Sequence, residues 1–96
     1  MTQEFRLTRK EFTTLLYTGR KLELIACYLP VTTPQPRIVK AQRSYGFDLE
    51  RPDGKISRLD GFTGMKFIAV SDGGNGFIEV KLVDNEGNIA AHYKLL

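Results

Sequence analysis

A single stretch of helical periodicity, residues 8–17, is followed in this chain by run after run of strand-like alternation. Each run is bounded by a turn signal such as Pro52-Asp53-Gly54, Asp72-Gly73-Gly74-Asn75-Gly76 or Asn85-Glu86-Gly87-Asn88. Turn residues spaced this closely return the chain on itself before a second helix can form, so short antiparallel strands are the expected product.

The helical stretch has its own start and stop signals. Thr8-Arg9-Lys10-Glu11 fits a capping box, in which the Thr8 hydroxyl accepts from the Glu11 N–H and the Glu11 carboxylate accepts from the Thr8 N–H. Phe12, Leu15 and Leu16 then fall on one face, and Gly19 stands where a left-handed C-terminal cap is wanted. The spacing predicts about three turns. Leu7 before the cap and Phe12 four residues inside it are placed for a hydrophobic staple.

Residues 21–29 are apolar at nearly every position, as in a strand covered on both faces, and Pro30, Pro34 and Pro36 stop it. Residues 37–50 read as one long strand region whose alternation slips. Tyr45, Phe47 and Leu49 share one parity and Ile38, Lys40 and Gln42 the other, which predicts a bulge or bend at residues 44–46. Strands are expected at 55–60, 65–71, 77–84 and 89–95, with Gly61-Phe62-Thr63-Gly64 breaking the chain between the first two. The expected fold is α+β: one N-terminal helix packed on a curled antiparallel meander of five or six strands, a small, partly open barrel formed by residues 1–96 as a single domain.

At 96 residues and 42 % hydrophobic content the chain can build one core without disulfides or metal staples. It contains no run of about 18 apolar residues, which predicts no membrane span. The N-terminal residues lack the pattern of a secretory signal, and Cys27 has no second cysteine to pair with, so a cytoplasmic protein is expected.

Few residues invite chemistry. His92 has no Cys, Ser or carboxylate at a spacing that suggests a triad or metal site, and is expected as a solvent-facing strand residue. Cys27, within an apolar run, reads as an inert core thiol. Asp48 and Glu50 fall on one strand face about 7 Å apart, a spacing for one hard cation or for an ordinary solvated face, the latter preferred. The Gly-rich stretch at 72–76 precedes a strand rather than a helix and so reads as a hairpin instead of a phosphate cradle. No catalytic activity, cofactor or metal is therefore expected.

Charge is the remaining signal. The net charge is +3, and it is unevenly distributed: residues 1–58 carry eleven Lys or Arg against six Asp or Glu, and residues 59–96 carry three against five. Arg9 and Lys10 at the helix start, with Arg37, Lys40 and Arg43 on the strand after the prolines, define a candidate basic face, and Tyr45 is a candidate stacking or anchoring ring. Cations beside an aromatic suit a nucleic-acid strand, RNA or DNA, or an acidic protein surface. The competing expectation is a structural module that forms a homodimer through an apolar C-terminal edge strand, residues 89–96.

Phe12, Leu16, Tyr17, Gly19 and Leu22, then Val39-Lys40-Ala41-Gln42, Phe47, Glu50-Arg51 and Gly54-Lys55-Ile56-Ser57-Arg58-Leu59-Asp60 form a pattern over roughly the first two thirds of the chain. It resembles that of small uncharacterised accessory proteins of tailed phages and prophages. The resemblance implies a non-catalytic phage or mobile-element protein that acts in the host cytoplasm. Its partner would be a surface of a host protein or nucleoprotein machine, including defence complexes of the CRISPR type, which it would inhibit in the manner of an anti-CRISPR protein.

Overall fold

The computed structural model describes residues 2–29, 31–60, 63–74 and 76–96. The elements run β1 (Gln3–Leu7), α1 (Arg9–Leu15), β2 (Lys21–Cys27), β3 (Gln35–Arg43), β4 (Gly46–Glu50), β5 (Ile56–Asp60), β6 (Lys66–Ser71), β7 (Glu79–Val83) and β8 (Ile89–Leu95). The eight strands form one antiparallel sheet in the order β1-β6-β7-β8-β2-β3-β4-β5. The sequence expectations at Met1, Pro30, Gly61, Phe62 and Asn75 fall outside the described residues. Among the described residues, no helix is long and apolar enough to cross a membrane.

This corrects the expected fold in four respects. Among the described residues there are eight strands instead of five or six, and the helix is second in the chain, after β1. The order is not a simple meander, because β1 pairs with β6 and β8 with β2. The sheet also does not close, β1 and β5 remaining as its two ends. One added strand is β1, whose only apolar residues, Phe5 and Leu7, make an alternation too short to announce a strand, and only Leu7 is buried. Another comes from residues 35–50, which fold as a hairpin turning at Ser44 and Tyr45 rather than as one bent strand. The irregularity lies at Lys40, where the register shifts between Val39 and Ala41, not at residues 44–46.

The helix spans seven residues, about two turns, and begins with the expected capping box: Glu11 N–H donates to Thr8 Oγ1 and Thr8 N–H to the Glu11 carboxylate. It stops at Leu16, short of Gly19, whose φ of 94° instead serves the turn into β2. Gln42 reaches over from β3 and donates to the carbonyls of Thr13 and Leu16, which the helix end leaves unpaired.

Phe12, fully buried, fixes how the sheet bends. Its ring stacks on Phe67 of β6 at 4.7 Å and meets Phe47 of β4 edge-on at 5.8 Å, so those two rings are no more than about 10.5 Å apart. Strands β6 and β4 stand five places apart in the sheet order, about 24 Å in a flat sheet. The sheet is therefore curled around the helix. Its inner face gathers Leu22, Val39, Phe47, Leu49, Leu59, Phe67, Ala69, Val80, Leu82, Ala91, Tyr93 and Leu95 into one core with Leu7, Phe12 and Leu16.

Candidate functional site

The turn between β3 and β4 carries a cluster of charged side chains on the surface. Because β4 and β5 are joined through Pro52-Asp53-Gly54, with Gly54 N–H bonded to the Arg51 carbonyl, Asp48 falls opposite Arg58 and Gly46 opposite Asp60. On the other side of β4, Gly46 also faces Arg43. These positions share the outer face, since paired residues of an antiparallel sheet project to the same side.

Asp48 is the hub of that arrangement. One carboxylate oxygen accepts from the Tyr45 hydroxyl, and the other accepts from Arg43 Nε at 2.8 Å. The Tyr45 hydrogen bond first, then that of Arg43, hold the Asp48 carboxyl below the usual range. The same contacts raise the Tyr45 phenol and the Arg43 guanidinium. The Arg58 guanidinium lies 3.6 Å from the Tyr45 ring centroid and its Nε donates to Asp60 at 3.0 Å. From the helix start, Arg9 donates to the Ser44 carbonyl at 3.3 Å. Three arginines distant in sequence thus gather at one hairpin tip.

The six residues expected to form one basic face are divided by the fold. Arg9, Arg43 and Tyr45 are brought together. Lys40, on the bulge, stands farther along the hairpin and pairs with Glu50 at 3.6 Å. Arg37 lies opposite buried Leu22, so it belongs to the inner row, and it lines a cavity of about 290 Å³ with Pro36, Ile38, Glu50, Arg51 and Pro52. Lys10 lines a different cavity, of about 300 Å³, with Leu7, Glu11, Thr14, Leu15 and Phe77. Tyr45 is not an open stacking platform: its hydroxyl is engaged by Asp48, and one ring face carries Arg58. Sequence reasoning missed Arg58, although the turn centred on Asp53 sets it opposite Asp48.

Asp48 and Glu50 do share the outer face, and each is engaged by a cation, Arg43 and Lys40 respectively. His92 bonds Glu79 at 2.7 Å across the β7–β8 pair and is only 17 % exposed, so it is not the solvated residue expected. Cys27 pairs opposite Ala91 on the inner row and Ala26 opposite His92 on the outer one, which puts the thiol and the imidazole on opposite sides of the sheet. The strand expected to mediate self-association is not at an edge, since β8 lies between β7 and β2 with both backbone sides paired.

Fold and site together define a helix-plugged, curled antiparallel sheet that presents a guanidinium-rich hairpin. No family model matches the chain, and neither does any curated protein or solved structure.

Proposed function

We propose that this chain is a non-catalytic binding protein that engages an anionic surface, that of a host nucleoprotein, through the outer face of the β3–β4–β5 hairpins. The observation that carries this reading is the gathering of Arg9, Arg43 and Arg58 at the Ser44-Tyr45 turn, where they contact the Ser44 carbonyl, Asp48 and the Tyr45 ring respectively. A guanidinium already held by a carboxylate and a ring is preorganised, so less side-chain entropy is lost when a phosphate or carboxylate docks. Lys40, paired with Glu50 at 3.6 Å, stands farther along β3 on the same hairpin. The separation of Cys27 from His92 supports a binding role over nucleophilic chemistry. The resemblance to accessory proteins of tailed phages supports a mobile-element origin, a site of action in the host cytoplasm and a defence complex as the nucleoprotein.

The test replaces Lys40, Arg43 and Arg58 together by Gln and measures binding to a fluorescent single-stranded RNA and to host nucleoprotein with and without nuclease treatment. The triple variant is expected to bind roughly tenfold more weakly near physiological salt, and its salt slope to be smaller by about 2 for a single strand. Unchanged affinity in a variant with unchanged circular dichroism removes the hairpin as the contact surface.

A further inference from the structure

The outer backbone edge of β1 and the groove beside it form a second site, independent of the hairpin. β1 ends the sheet and pairs only with β6, so one side of its backbone is left without a strand partner. Gln3, Glu4, Phe5 and Arg6 are all exposed along it, with neither a proline nor a bulge to blunt the edge. Phe5 and Leu7 lie opposite Ala69 and Phe67 and so face inward. There the Phe5 ring leans on Phe77 with centroids 5.8 Å apart. Against Leu7 and Phe77 the helix sets Lys10, Glu11, Thr14 and Leu15, leaving the mostly apolar cavity of about 300 Å³.

We propose that an extended, alternately apolar and acidic peptide segment of another protein adds to β1 as a further strand. The backbone edge selects an extended chain, because only a strand in register satisfies its free N–H and C=O groups. The groove then selects the residues: with a period of two, every second guest side chain faces inward and enters the space lined by Leu7, Leu15 and Phe77. Charge selects the others. Glu4 is already paired with Lys81, and Glu11 keeps its negative charge but turns its carboxylate to the Thr8 N–H. Arg6 on the outer face and Lys10 on the groove rim, by contrast, make no ion pair with a described residue. Acidic guest residues complement both.

A random heptapeptide library selected on the intact protein tests the proposal, followed by affinity measurements on the best synthetic peptide. Enriched sequences should alternate apolar with acidic or neutral residues. N-methylation of the peptide backbone should abolish binding at every second residue and be tolerated between them, the signature of a strand paired on one side. Thr14→Arg, an exposed change that fills the groove, should weaken binding at least tenfold, whereas the Lys40, Arg43 and Arg58 triple variant should bind the peptide normally. The absence of enrichment, N-methyl tolerance without alternation, or full affinity in a folded Thr14→Arg variant overturns it. So does a stable dimer by sedimentation in which β1 amides are already protected from hydrogen exchange, since a second copy would then hold the edge.

Discussion

Phe12 stacks on Phe67 with ring centroids 4.7 Å apart and planes inclined by 22°, which fastens the helix to β6, while the same ring meets Phe47 on β4 in a T-shaped contact at 5.8 Å. One side chain therefore ties together strands that a flat sheet would hold far apart. Phe12→Ala should cost about 3–5 kcal/mol, read as a lower urea midpoint. Its m-value should stay near that of the unmodified protein if the sheet stays curled.

Both ends of the helix are fastened by side chains rather than by length. Thr8→Ala should cost about 1 kcal/mol through the lost cap. Gln42→Ala should cost a similar amount, about 1 kcal/mol, because it removes the donor to the Thr13 and Leu16 carbonyls. Thermal melts of the two single variants and the double variant check this, and near-additivity is expected since the contacts lie at opposite ends.

Acid should act through Asp48. Its carboxyl is held below the ordinary value by Tyr45 first and Arg43 second. The stabilisation from that shift is complete above the unfolded value of about 3.9 and disappears as pH falls through the depressed folded value. Asp48→Asn should therefore be less stable than the parent at pH 7. The gap should narrow below about pH 4, as followed by urea midpoints across that range.

Alkali should act through Tyr93. Burial raises its phenol well above the ordinary range, with Arg37 opposing in part. A phenol raised on folding stabilises fully below the unfolded value of about 10 and loses that contribution as pH rises toward the folded value. Above pH 10 the parent should lose up to about 1.4 kcal/mol per pH unit from this group alone. Tyr93→Phe keeps the ring in the core and should flatten that limb of the stability curve.

What the sequence disclosed was local. Thr8 and Glu11, three residues apart, specify their own cap. Pro52-Asp53-Gly54 fixes its own turn, and β8 alternates cleanly because Ala91, Tyr93 and Leu95 are buried on one side. Strand β1 stayed hidden because its apolar rhythm is only two residues long, Phe5 and Leu7, and runs directly into the helix cap at Thr8. The Ser44-Tyr45 turn stayed hidden because nothing in the parity of Tyr45, Phe47 and Leu49 distinguishes a slipped strand from a reversed one. Arg37 and Arg43 lie on opposite faces because the Lys40 bulge changes parity between them, and only the pairing partners Leu22 and Gly46 reveal it.

Strand β8 lies between β7 and β2, and so is the seam between a three-stranded portion, β1-β6-β7, and a four-stranded one, β2-β3-β4-β5. During synthesis β2 emerges early and has no partner on that side until residues 89–95 have left the ribosome. Hairpins such as β3–β4 can assemble in the meantime, but the two portions join only in a late closure step over a long stretch of chain. Until then the backbone edges of β2 and β7 that β8 will join stay unpaired, which leaves the unfinished chain open to edge-to-edge association.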